Sequence, residues 1–171
     1  VAGSAVQWLR DTFLPMVETP LHTLPKRILI SRSDAGVRKV VNEAELEAVL
    51  LPQGFKKIQL SKLPFLQQVA HFAAADVIVA PHGAGLTHLA FARSSCQVLE
   101  FFHPYYVNAC FYALANVRKL DYSYCLGAGK VPEEGKDPEI NIADIELDIE
   151  RFKATLTLLG LPTLQKQADA I

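Results

Sequence analysis

Two rhythms of apolar residues take turns along this chain. The first is a short unbroken run: "RILIS" (27–31), "DVIVAP" (76–81) and "QVLEFF" (97–102), with "KKIQL" (56–60) and "DYSYCL" (121–126) as weaker versions. Runs of this length, apolar at every position, predict strands buried on both faces. The second is helical. "NEAELEAVLL" (42–51) puts Leu46, Val49 and Leu50 on one face, with Glu43, Glu45 and Glu47 off it. "FLQQVAHFAAA" (65–75) places Leu66, Val69, Ala70 and Ala73 at i, i+3, i+4 and i+7. "GLTHLAFA" (85–92) reads as a short helix and "NACFYALANV" (108–117) as a longer one. A last helix, from about Asp148 to Leu159, carries the stripe Ile149, Phe152, Leu156 and Leu159. "INIADIEL" before it is either extended or helical, and the polar stretch 127–139, with Gly127, Gly129, Pro132, Gly135 and Pro138, reads as a loop.

Strands separated by helices predict an α/β fold: a doubly wound, mostly parallel Rossmann-like sheet of about five strands flanked by helices. Residues 1–25 read differently. "SAVQWLRDTFL" (4–14) predicts a helix capped by Ser4, and Pro15, Pro20 and Pro25 stud the connector behind it. The division expected is therefore an N-terminal helix and proline-rich connector over 1–25, then one domain over 26–171.

If the first and third strands are neighbours, the chain reverses direction between them, and ligands of such sheets bind there, beyond the carboxyl ends of the strands. The residues at that point are Ser31, Arg32 and the turn His82-Gly83-Ala84-Gly85. Glycine permits either a sharp corner or a close approach of backbone to ligand, and the sequence alone leaves both open. A helix beginning there would direct its free N–H groups into the crevice, as suits a phosphate. The pattern G-x-G-x-x-H lacks the third glycine of a dinucleotide fingerprint and follows the wrong strand, which counts against a nicotinamide site. Arg32 and Arg38 share one strand-to-helix connection and form a candidate anion clamp; the alternative is a solvated surface pair. Asn42 with Glu45 matches a helix N-cap signature. His82 is placed to contact a ligand or act as a base, and His88, one turn on, to support it. Glu100 is a charge inside an apolar strand and needs a partner, either a ribose diol or an arginine.

Composition narrows the field only a little. The chain has 171 residues, enough for one domain with a proper core, and a net charge of −1. There is no electrostatic case for nucleic acid. Cys96, Cys110 and Cys125 form no C-x-x-C pair, and free thiols in a reducing compartment are expected. No apolar run reaches the roughly 20 residues that span a bilayer. A cytoplasmic location, peripheral to the inner face of a membrane, is the expectation. His82, His88 and His103 lack the spacing of a zinc site, so no metal is expected. There is no G-x-S-x-G elbow, Walker A loop or HExxH.

"ISRSDAGVRKVVNE", "ADVIVAPHGAGLTHLAF" and "VLEFF", in this order and spacing, resemble glycosyltransferase family 61 over about residues 26–126. That family includes bacterial capsular and exopolysaccharide transferases, plant xylan transferases and animal O-linked N-acetylglucosaminyltransferases. The resemblance implies an inverting transferase of the two-Rossmann-domain (GT-B) type, of which this chain is the C-terminal, nucleotide-sugar-binding half. It implies no tightly bound cofactor, a nucleotide-diphosphate sugar as donor, a glycan or other hydroxyl acceptor, and an N-terminal acceptor domain not included here. Carried over, Arg32, Arg38 and Asn42 match the first block, His82, Gly83, Ala84 and Gly85 the phosphate turn, and Glu100 the acidic position. The family usually has asparagine where this chain has His88. The base is unassigned: Asp34 and His82 are candidates, and the absent domain is a third source. A capsular role was the expected biology. The rival readings are a stand-alone, non-catalytic phosphate- or nucleotide-binding module, a flavin-binding domain and a structural domain.

Overall fold

The structure, a computed structural model, describes residues 2–128 and 143–161. Five strands form one all-parallel sheet: β1 Arg27–Ile30, β2 Lys56–Ile58, β3 Val77–Pro81, β4 Gln97–Phe102 and β5 Asp121–Leu126, in the order β2-β1-β3-β4-β5. β1 and β3 are neighbours, so the chain does reverse between them, and the doubly wound Rossmann-like arrangement expected from the sequence is present. β1, β3 and β4 are central and almost wholly buried, which is why they read as unbroken apolar runs. β2 is an edge strand whose Lys56 and Lys57 face solvent, a common protection against edge-to-edge pairing.

Alternate residues feed two cores. Ile28, Ile30, Ile78, Ala80 and Val98 point to one face, where α1 (Gly3–Phe13), α3 (Phe65–Ala74) and α4 (Cys110–Arg118) lie. Leu29, Val77, Val79, Leu99 and Phe101 point to the other, covered by α2 (Glu43–Leu50) and α5 (Ile149–Leu158). Of the stripe expected on α5, Phe152 and Leu156 are buried, with Ile149 and Leu159 half-buried beside them. Lys57 holds Glu43 and Glu47 at 2.8 and 2.6 Å on the outer side of α2.

Four local expectations need correction. Ser4 lies inside α1, whose N-cap is Ala2, so it caps nothing. The helix after β3 is a 3₁₀ helix, Ala84–Phe91, rather than an α-helix. Asn42 does occupy the N-cap position of α2, but its side chain makes no cap. Its amide instead donates to Leu147 O at 2.8 Å and accepts from Leu147 N at 3.0 Å. The described part of "INIADIEL", 143–147, is extended. It bridges Val40 in parallel through Ile145, and Asp144 accepts the Lys39 N–H at 2.8 Å. Residues 129–139 of the expected loop lie outside the described residues.

The first 25 residues are packed onto the sheet. Val6 is buried in the first core, and Arg10 crosses to the end of the 3₁₀ helix, donating to Ala90 O and Ala92 O at 3.1 Å each. Arg118 donates to the same Ala92 O at 2.9 Å. Two cations thus meet the carbonyl end of that helix, where its dipole favours them. Among the described residues no helix is long and apolar enough to cross a membrane.

Asn42→Ala removes both hydrogen bonds to Leu147 and leaves the backbone groups there unpaired. A loss of about 2 kcal/mol is expected in urea denaturation, with Asn42→Asp, which keeps the acceptor, losing less.

Candidate functional site

At the carboxyl ends of β1 and β3 lies a half-open crevice of about 170 Å³, lined by Ser31, Arg32, Asp34, Ser61, Gly83 and Gly85 among others. It falls at the reversal point that topology predicts. Arg32 leaves β1 and lays its guanidinium against Gly83. A β-carbon at 83 would come within 2.8 Å of Arg32 Cζ and closer still to Nη1, so glycine here serves the close approach of a side chain. The Gly83 backbone is extended (φ 168°), so left-handed freedom is not what the position requires. At Gly85 an added β-carbon would meet the Leu60 Cδ1 methyl at 2.7 Å, a group able to swing aside.

Arg32 Nη2 donates to Val37 O at 3.1 Å, and its Nε is buried without a partner. Burial, then the neighbouring Arg38 charge, lowers its pKa from the ordinary value, against a smaller opposing pull from Asp34. The fold therefore holds two like charges near each other, an arrangement an anion would relieve. Arg38 has left-handed backbone (φ 54°) and sets its guanidinium 5.9 Å over the Tyr106 ring. That backbone is fixed by the adjoining pairing of 39–41 with 144–145: Ile145 N donates to Lys39 O at 2.7 Å and Val41 N to Ile145 O at 2.9 Å.

His82 continues β3 by one residue. By the pleat it shares a face with Ile78 and Ala80, and Ala80 pairs with Glu100 across the sheet. His82 is 5% exposed and Glu100 not at all. His82 Nδ1 and Glu100 Oε1 are 2.5 Å apart, and the other carboxylate oxygen accepts from the Tyr122 hydroxyl. Glu100 thus finds its partners within the chain, in a histidine and a tyrosine. Burial first, and the Glu100 bond second, push the Tyr122 hydroxyl well up, so it stays a donor. Phe102 stacks on His82 at 4.9 Å, while Tyr106 and Phe111 approach at 5.6 and 5.3 Å. With Nδ1 committed to Glu100, Nε2 is the atom left for a ligand.

Other expected residues fall elsewhere. Ala84 opens the 3₁₀ helix and is exposed. Asp34 is exposed and accepts from Ser61 Oγ, the main reason its carboxyl lies below the usual range. His88 does not support His82. It turns among Phe65, Phe72 and Phe91 and donates from Nδ1 to Gly85 O at 3.1 Å, with Nε2 buried unpaired. Burial lowers its pKa, as it does for His71 and His103. The described residues hold no group of three or more metal-type ligands. The three cysteines are free, and burial pushes Cys96 and Cys125 up to about 12. Tyr106, Tyr122 and Ser61 went unnoticed in the sequence. Only their positions just past strand ends, or on a strand face shared with Glu100, could have singled them out.

An all-parallel 2-1-3-4-5 sheet with arginines and a glycine turn at its switch point defines a doubly wound α/β domain with its crevice where such domains take ligands. The chain belongs to glycosyltransferase family 61, whose model ("Glycosyltransferase 61") matches residues 1–99, the N-terminal helix included. It is similar to the EGF domain-specific O-linked N-acetylglucosamine transferase of Drosophila melanogaster, 34% identical over 50% of this chain and 17% of the fly protein. The Canis lupus familiaris and Bos taurus proteins of the same name are each 27% identical over 74% of this chain and 26% of their own length. The chain thus spans only a minor part of the curated relatives it matches.

Two measurements check this geometry. Gly83→Ala must displace the Arg32 guanidinium, so the Arg32 Nε–H resonance should shift while stability falls by only about 1–2 kcal/mol. The neutral burial of His71, His88 and His103 sets a pH dependence. Their folded pKa values lie below the unfolded value of about 6.5, so the unfolded chain binds more protons. Stability is full above that value and is lost as pH falls below it. The urea midpoint should drop between about pH 7 and pH 5, with a shallower slope in His88→Asn.

Proposed function

We propose that this chain is the nucleotide-sugar-binding part of an inverting glycosyltransferase of GT-B type, with Arg32, Arg38, His82 and the Gly83–Gly85 turn receiving the donor's diphosphate. The observation that carries the reading is the placement of the Arg32 guanidinium in the space left by Gly83, close to a second arginine. Arginine suits phosphate oxygens through paired, charge-assisted hydrogen bonds. No bound cofactor is required by this chemistry, and the described residues offer no metal cluster that would serve it.

In the reaction proposed, an acceptor hydroxyl loses its proton to a base and attacks the anomeric carbon. The bond from that carbon to the diphosphate oxygen breaks, and its electron pair leaves with the diphosphate. The two arginines and His82 stabilise the charge that develops there. Glu100 acts through His82: it holds the ring so that Nε2 meets the ligand and favours an imidazolium when an anion arrives. Asp34, already held below the usual carboxylate range by Ser61, is a weak base, which supports a base supplied by the acceptor side. The chain spans 17% and 26% of the relatives named above, and we assign the acceptor domain to the remainder of the longer enzyme.

The relatives' names favour N-acetylglucosamine as the sugar and a hydroxyl on a folded protein domain as the acceptor; they lend nothing to a capsular or exopolysaccharide role. Calorimetric titration of the chain with UDP, GDP and CMP tests the donor site. Binding of one nucleotide is expected, weakened at least tenfold in Arg32→Ala and in His82→Ala, consistent with losing a charge-assisted contact. Glu100→Gln should weaken it less and shift its pH dependence, because the ring keeps its place but loses the charge behind it. Equal binding by wild type and Arg32→Ala would sink the donor-site reading.

A further inference from the structure

The crevice is electrically lopsided. At one end Arg32 lies on Gly83; at the other, Asp34 and Ser61 form a carboxylate–hydroxyl pair. Asp34 is exposed, so its charge is presented to whatever enters. An anion filling the whole crevice would meet that carboxylate, at a cost. A ligand with an anionic group at one end and neutral hydrogen-bond donors at the other would not. The walls between are apolar, built by Ile30, Leu60, Pro81 and Leu86. A carboxylate acceptor, a hydroxyl able to donate or accept, and an apolar floor together match the face of a sugar ring, with polar edges and a C–H surface.

The pair is also supported from behind. Gln59 Nε2 donates to Ser33 Oγ at 2.7 Å, and Ser33 is tied to the buried Ser31 through its backbone N–H at 3.2 Å. Leu63 N donates to Leu60 O at 3.0 Å, closing the turn Leu60–Lys62 that carries Ser61. Strand pairing of β1 with β2 brings these two loops together, with Ile30 opposite Ile58. The geometry is that of a built recess rather than of two side chains meeting by chance on a surface.

We infer that the Asp34–Ser61 end of the crevice is a hydroxyl-recognising subsite for a sugar ring attached to the phosphate held at Arg32. This rests on the donor reading above and adds to it a residue pair and a chemical class. Two rings of a sugar nucleotide carry such hydroxyls, the ribose and the transferred sugar, and the test separates them.

The full chain is titrated with UDP, 2′-deoxy-UDP and UDP-N-acetylglucosamine, and with GDP, 2′-deoxy-GDP and GDP-mannose, beside Asp34→Asn, Ser61→Ala and Arg32→Ala. Thermal melts of the two exposed-site variants, Asp34→Asn and Ser61→Ala, should match wild type. If the subsite takes the ribose, Asp34→Asn weakens the ribonucleotide about tenfold and leaves the deoxy analogue unchanged. If it takes the transferred sugar, the diphosphates bind as before and only the sugar nucleotide loses its advantage. Either outcome supports the subsite, with Ser61→Ala giving a smaller loss of the same selectivity. Unchanged or tighter binding of every ligand in Asp34→Asn, while Arg32→Ala still abolishes it, overturns the subsite and leaves the donor reading standing. No nucleotide binding to the wild-type chain overturns both.

Discussion

A carboxylate cut off from water cannot stay charged without partners, and Glu100 is the residue on which that condition falls in this fold. The sheet meets it through register. Because Ala80 pairs with Glu100 and Val98 with Tyr122, the pleat brings His82 and Tyr122 to the face that the carboxylate occupies. Its two oxygens are then divided, one to the imidazole and one to the phenol. The consequence reaches the mouth of the crevice. A ring whose Nδ1 is fixed from beneath, and whose flank is packed by Phe102 and Phe111, presents one defined nitrogen beside the glycine turn.

The arginines solve the opposite problem. Two guanidinium groups in one loop repel each other, and the loop needs reasons to keep them near. Part of the restraint is local, in the Arg32 bond to Val37 O and the ring beneath Arg38. The rest comes from far along the chain, where 144–147 zips against 39–42 through backbone bonds, Asp144 and the Asn42 amide. The strain of a left-handed arginine is tolerated because its neighbours are held so firmly. Charge, backbone and register are thus arranged around a crevice that the protein's own side chains do not fill.

The strand rhythm announced the sheet because central parallel strands are buried on both sides and must be apolar throughout. It also announced the reversal between β1 and β3, and with it the place of Arg32, His82 and the two glycines. The pairs that complete the site were beyond such reading. Asn42 carried a cap signature, yet the group its amide satisfies belongs to Leu147, 105 residues on. Tyr122 and Tyr106 are ordinary tyrosines until the register and the loop after β4 bring them to His82. His88 looked like a second polar group in a ligand turn; only the aromatic packing of Phe65, Phe72 and Phe91 shows it as a core residue with one polar end.

The long-range zipper also fixes an order of events in folding. Strand pairs such as β1 with β2 join residues close in sequence, and loop-closure entropy makes them early. The arginine loop receives its final shape only when the stretch before α5 returns to it, after all five strands have been made. On a ribosome, that stretch is also the last of these parts to emerge. The sheet should therefore exist, compact and protected, before the crevice above it has its binding shape. Recognition, in this chain, is a late property of a scaffold already built.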